Sequence, residues 1–198
     1  MEPETKSLGS ITKNNKEPRI SFAGSLRRYR MKRAVMIIGF EGFRDEEYVE
    51  PKKVLEKAGI EVTTASSKVG IAKGKLGLSA KVDISLKEVN VPSYDAIIFV
   101  GGPGSYTYFD DPIAQGIAKD AVKEQKILAG ICAAVSILAN AGLLKGIKAT
   151  SFPGEASNLK NKGAKYSPSG LEVDGKIITA DGPAHAKQFG EAIVKNLS

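Results

Sequence analysis

The chain has 198 residues, 42% of them hydrophobic, which suits one domain with a proper core and is too short for two. One cysteine, Cys132, and one histidine, His185, exclude an internal disulfide and leave too few ligands for a zinc cluster, so no metal is expected and nothing calls for a cofactor. The net charge of +7 is concentrated at the start: residues 1–33 hold nine Lys and Arg against three Glu, whereas the remainder holds 20 basic against 19 acidic residues.

A basic leader on a nearly neutral body argues against a nucleic-acid-binding face, and neither a binding motif nor a set of stacking aromatics accompanies it. No run of about 18 apolar residues and no secretory signal is present, so the expectation is a cytoplasmic, reduced protein that does not enter a membrane.

Residues 1–30 lack sustained periodicity and read as a basic, flexible N-terminal extension, with the domain spanning 31–198. "RAVMIIG" (Arg33 to Gly39) is a buried strand. "EEYVEPKKVLEKAG" (Glu46 to Gly59) has helical spacing, and the β-branched "IEVTTAS" (Ile60 to Ser66) is again a strand, which completes a βαβ unit. Residues 67–92 are punctuated by glycine and predict a small hairpin excursion outside the core. Gly70 and Gly74 are too close for a phosphate loop, and no Lys-Ser/Thr pair follows. The rhythm then resumes with the strand "YDAIIFVGG", the helix "DPIAQGIAKDAVKEQ", the strand "KILAGI" and the helix "AAVSILANAG", closed by Gly142. A strand "KATSF", a hairpin "LEVDGKIITA" turning at Asp174-Gly175, and a last helix "AHAKQFGEAIVKNL" finish the chain. This alternation predicts an α/β sandwich with a mostly parallel sheet.

Cys132 falls at a strand-to-helix junction, where helix N–H groups and the dipole favour a thiolate. Its small neighbours Gly130, Ala133 and Ala134 suit the sharp turn that presents a nucleophile above an α/β sheet. Cysteine is also among the most buried residue types, and spacing alone leaves chemistry and packing open. "FVGGPGS" places Gly101 and Gly102 after another strand, where backbone N–H groups can approach a reacting atom. Gly102 and Gly104 lack the third glycine of a dinucleotide fingerprint.

Taken in order, "RAVMIIGFEGFRDEEYVEPKKVLEKAGIEVTTAS", "YDAIIFVGGPGS", "ILAGICAAVSILANAGLLKGIKATSFP" and "DGKIITADGPA" resemble the ThiJ/PfpI superfamily over about residues 32–198. The resemblance implies the class I glutamine amidotransferase-like fold, a flavodoxin-like three-layer sandwich. It implies that Cys132 in "GICAA" is the nucleophile. Glu47, four residues before Pro51, would be the glutamate that hydrogen-bonds the cysteine sulfur. By itself that residue reads rather as a helix-start glutamate stabilised by the dipole. Gly102 and the N–H of Ala133 would form the oxyanion hole.

The family histidine does not carry over: its two usual places, after the cysteine and before a later proline, hold Ala133 and Phe152. His185, beside the Gly-Pro segment that borders the cysteine pocket in relatives, is the candidate replacement. Its alternative is a solvent-facing residue in the first turn of the last helix. Tyr106 and Tyr108 are candidates for the pocket wall, an interface or plain packing. The resemblance implies a cysteine-dependent hydrolase or lyase of small reactive carbonyls or glycated groups, or an intracellular cysteine peptidase, in a homodimer or larger homo-oligomer. Without a base, small-carbonyl chemistry is favoured over proteolysis. A non-catalytic redox-sensing stress or chaperone-like protein built on the same cysteine is the alternative.

Overall fold

Apolar runs too continuous for a one-sided sheet become strands covered on both faces in the computed structural model, which describes Met1 and residues 30–198. Residues 2–29, where the expectation of a flexible basic extension falls, lie outside the described residues. In chain order the elements begin with β1 (Arg33–Ile37), β2 (Glu41–Phe43), α1 (Asp45–Lys57), β3 (Glu61–Ser66), β4 (Gly70–Gly74), β5 (Ser79–Val82), β6 (Ile84–Ser85) and β7 (Ala96–Phe99). They continue with α2 (Pro112–Lys123), β8 (Ile127–Ile131), α3 (Val135–Asn140), β9 (Lys148–Ala149), α4 (Ala156–Asn161), β10 (Lys165–Tyr166), β11 (Leu171–Asp174), β12 (Ile177–Ala180) and α5 (Ala186–Leu197). Short 3₁₀ turns follow β7 (Pro103–Tyr108), follow β8 (Cys132–Ala134) and precede α5 (Pro183–His185).

The main sheet has the order β11-β12-β8-β7-β1-β3-β6 and is parallel except where β11 pairs with β12. Its side chains alternate between two cores. Val35, Ile37, Ile97, Phe99 and Leu128 pack with apolar residues of α2, α3 and α4, whereas Ala34, Met36, Ile98, Ala129 and Ile131 pack with those of α1 and α5. The result is a flavodoxin-like three-layer α/β sandwich. Strand β1 lies between β3 and β7, so the connections run to opposite sides of it, and the crevice at the carboxyl ends of β1, β7 and β8 is where such sheets bind ligands.

Two expectations are corrected. The segment 67–92 does form an antiparallel hairpin, β4–β5, but β2 adds to it as a third strand, and Ala72, Ala80 and Val82 are buried in the core on the α1 side. The inward positions are too small and too few to announce a core face. "KATSF" contributes only β9, which pairs with β10 in a separate two-stranded ladder. Beyond β9 the Thr150 N–H is taken by Thr179 Oγ1 at 3.0 Å, so a side chain occupies the donor that a longer strand would need. Among the described residues no helix is long and apolar enough to cross a membrane.

Candidate active site

Helix α1 begins with Asp45, Glu46 and Glu47, all placed to complement the positive end of its dipole. Their side chains part company. The Asp45 carboxylate accepts the N–H groups of Leu76 (2.9 Å) and Leu78 (2.8 Å) and so ties the β4–β5 turn to the helix start. Glu46 accepts both Nε (2.8 Å) and Nη2 (3.2 Å) of Arg44. Glu47 faces inward and is wholly buried, and neither of its carboxyl oxygens has a well-formed hydrogen bond. The polar groups facing it are the Cys132 thiol and the Gly101 N–H. Pro51, one turn on, has no N–H to offer the Glu47 carbonyl.

The glycine pair after β7 is required for two different reasons. A Cβ on Gly101 would lie 2.5 Å from Glu47 Oε2 and 2.7 Å from Cys132 Cβ, so only a bare backbone fits between the two side chains. Gly102 has φ +97, a conformation that side chains resist, and a Cβ there would press on the Arg44 backbone nitrogen. The Arg44 N–H donates to the Gly101 carbonyl at 2.9 Å and locks the two loops together.

Cys132 has φ +61, and Gln125 is the only other non-glycine at positive φ among the described residues. A cysteine held in this sparsely populated conformation at the end of β8 is the strained elbow that the small neighbours lead one to expect. The backbone N–H groups of Ala133 and Gly102 face its sulfur and favour the thiolate. They are outweighed: burial first, and then the Glu47 charge, push the thiol up to about 12. The pull of the helix start is present as expected, and burial and the Glu47 charge oppose it. Burial likewise pushes Glu47 up, to about 7, although the sulfur and the Arg44 charge draw it down. The pair is thus a thiol beside a carboxyl that exchanges its proton near neutrality.

These groups form the floor of a cavity of about 360 Å³. Pro103, Tyr106, Phe152 and Pro183 supply its walls, and Arg44 and Lys75 complete the lining. Cys132, Glu47, Gly102 and Ala133 are thus brought together. His185 is not: it is absent from the cavity lining, its Nδ1 hydrogen-bonds Asp181 at 2.7 Å, and its ring packs so closely on Gly170 that no Cβ would fit there. The Gly-Pro segment does border the pocket through Pro183, but two residues later the chain has turned the imidazole to Asp181.

Tyr106 is a wall residue whose hydroxyl donates to Glu155 at 3.0 Å, while Tyr108 is buried and donates to the Ile38 carbonyl. Phe152, at one of the two family histidine places, is a wall with no proton to give. Arg44, the residue that caps α1, and Lys75, which only docking of the β4–β5 turn onto α1 brings to the cavity, escaped the sequence reading. Among the described residues no cluster of His, Cys, Asp or Glu stands ready to hold a metal ion.

A family model described as DJ-1/PfpI matches residues 32–196. An uncharacterized protein of Methanocaldococcus jannaschii is 38% identical over 85% of each chain. A protein of Pyrococcus abyssi named a deglycase is 33% identical over 82% of this chain and 98% of its own. Among solved structures, the ThiJ/PfpI domain protein of Brachyspira murdochii superposes with a TM-score of 0.83 at 38% identity, covering 84% of this chain and 96% of that one.

Proposed function

Because the chain belongs to the DJ-1/PfpI family, we propose that it is a cysteine-dependent enzyme of small reactive carbonyls, converting 2-oxoaldehydes such as methylglyoxal or releasing them from early glycation adducts. The observation that carries this reading is the pairing of Cys132 with the buried, proton-exchanging Glu47 in a pocket whose lining includes no imidazole. An amide needs its leaving nitrogen protonated and is poorly served by such a site. An aldehyde carbon has no leaving group and accepts a sulfur nucleophile more readily.

The thiol of Cys132 adds to the aldehyde carbon as the Glu47 carboxylate takes its proton. The S–C bond forms, the carbonyl π pair moves onto oxygen, and the Gly102 and Ala133 N–H groups hold the resulting oxyanion. Glu47 hands the thiol proton on to that oxyanion, giving the hemithioacetal and restoring the carboxylate. The carboxylate then carries the proton of the former aldehyde carbon to the neighbouring carbonyl carbon through the enediol, while the hydroxyl proton passes to the neighbouring oxygen, leaving a 2-hydroxyacyl thioester on Cys132. Water hydrolyses the thioester, returns the thiol and releases the 2-hydroxy acid. The balance is one dicarbonyl plus one water to one hydroxy acid, with no external oxidant or reductant. The deglycase name of the Pyrococcus abyssi relative supports the same class.

The test is methylglyoxal turnover by wild type, Cys132→Ser and Glu47→Gln. Both variants are expected to lose at least about a hundredfold in kcat/KM, within the range for removing a positioned acid-base group. Equal rates in wild type and Cys132→Ser would remove Cys132 from the chemistry.

A further inference from the structure

The charge in the pocket lining is one-sided. Glu47 is its only acidic member and lies wholly buried, whereas Arg44 and Lys75 are both basic. Arg44 is already engaged, since Glu46 accepts two of its N–H groups. Lys75 is not: it is exposed, and its ammonium makes no hydrogen bond or ion pair with any described residue.

Nor is its placement incidental. Its own N–H donates to the Phe43 carbonyl at 2.8 Å, and the next turn residues, Leu76 and Leu78, are pinned by Asp45 at the start of the helix that carries Glu47. The backbone is fixed against the catalytic helix while the side chain stays free, which gives a cation of set origin and adjustable reach. Tyr106 and Phe152 offer apolar walls in the same cavity. About 360 Å³ falls at the small end of ligand sites and suits a metabolite rather than a peptide.

We propose that Lys75 makes this pocket select carbonyl compounds that also carry a carboxylate, with the aldehyde carbon at Cys132 and the carboxylate at the Lys75 ammonium. The inference rests on the small-carbonyl reading and specifies its substrate class. Fully desolvated capture is not required: a unit charge at the mouth of a partly water-filled cavity changes the approach of an anion several-fold.

The test uses two alkylating reagents of nearly equal size and the same leaving group, iodoacetate (anionic) and iodoacetamide (neutral), on Cys132 in wild type, Lys75→Gln and Lys75→Glu at low salt. Taking the ratio of the two rates cancels any change in thiolate fraction. The ratio is expected to fall about threefold or more in Lys75→Gln, to fall further in Lys75→Glu, and to converge among the three proteins as salt is raised. A ratio that ignores residue 75 overturns the inference. A companion measurement is inhibition of methylglyoxal turnover by glyoxylate, which offers an aldehyde and a carboxylate but no second carbonyl to complete the conversion. Its potency should fall more in Lys75→Gln than does kcat/KM for methylglyoxal. If wild type turns over no dicarbonyl while the alkylation ratio still follows residue 75, the carbonyl reading fails and anion selection stands. Turnover with an indifferent ratio means the reverse.

Discussion

Replacing Glu47 by glutamine keeps the shape of the side chain and removes an ionisable group that is wholly buried and poorly hydrogen-bonded. Burial holds this carboxyl at about 7, against an ordinary 4.5. Below the ordinary value it is protonated in both the folded and the unfolded chain, and stability is undiminished. Between the two values the unfolded chain releases a proton that the folded chain keeps, so stability falls as pH rises. Once pH has passed the folded value the loss is complete. At about 1.4 kcal/mol per tenfold change, the loss amounts to about 3 kcal/mol, or about 6–12 °C in Tm for a domain of this size. The variant has no such proton to release. Urea unfolding of both proteins from about pH 4 to about pH 8, at fixed ionic strength, should show the difference widening by about 3 kcal/mol in favour of Glu47→Gln. Every other titrating group is common to both proteins, so the difference reports residue 47 together with its effect on Cys132. Parallel curves would mean that Glu47 ionises in the fold as readily as outside it, and the proton carrier of the proposed reaction would lose its physical basis.

The catalytic rate of wild type should rise with pH to a plateau, with an apparent midpoint near 7 as Glu47 ionises; a profile that declines through that range in stopped-flow turnover would assign it the acid role alone. Gly101→Ala should cost about 1–3 kcal/mol by overpacking between Glu47 and Cys132, and should alter the iodoacetamide reactivity of Cys132, as read by melting and by intact mass. Asp45→Ala should cost about 1–2 kcal/mol through the loss of two hydrogen bonds at the protein surface, with faster hydrogen exchange at Leu76 and Leu78. His185→Ala should leave the pH profile of Cys132 alkylation in place, and a displaced midpoint would return the imidazole to the site.

Strands β1, β7 and β8 were legible because burial on both faces writes itself as an unbroken apolar run. The elbow at Cys132 was legible because crowding there excludes all but small neighbours. The acidic start of α1 shows where reading stops. Asp45, Glu46 and Glu47 look alike in sequence, and an acid in a first turn is satisfied by the dipole whichever way it points. Yet one clamps a turn, one pairs with Arg44 and one is sealed beside the sulfur. Only the family resemblance singled out Glu47. His185 was placed near the right segment and given the wrong direction, because a hydrogen bond to Asp181 across one turn is invisible without the backbone. The thiol was read from the helix terminus alone, a local effect that burial and a neighbouring carboxylate outweigh. Lys75 carried no signal, since its importance comes from a hairpin docking onto a helix about 30 residues away.

The single bond from the Arg44 N–H to the Gly101 carbonyl, 2.9 Å long, joins the loop that leads into Glu47 to the loop that carries the proposed oxyanion donor, Gly102. Glu47 and the Gly102 N–H are therefore tied to each other through their backbones. A displacement of α1 should then move both relative to Cys132 together, preserving their mutual alignment at the cost of independence. Drift in this part of the molecule should act as a common gain control on the whole reaction, slowing every chemical step in proportion, whereas residues of the outer walls and mouth remain free to change which molecule is accepted without detuning the machinery beneath.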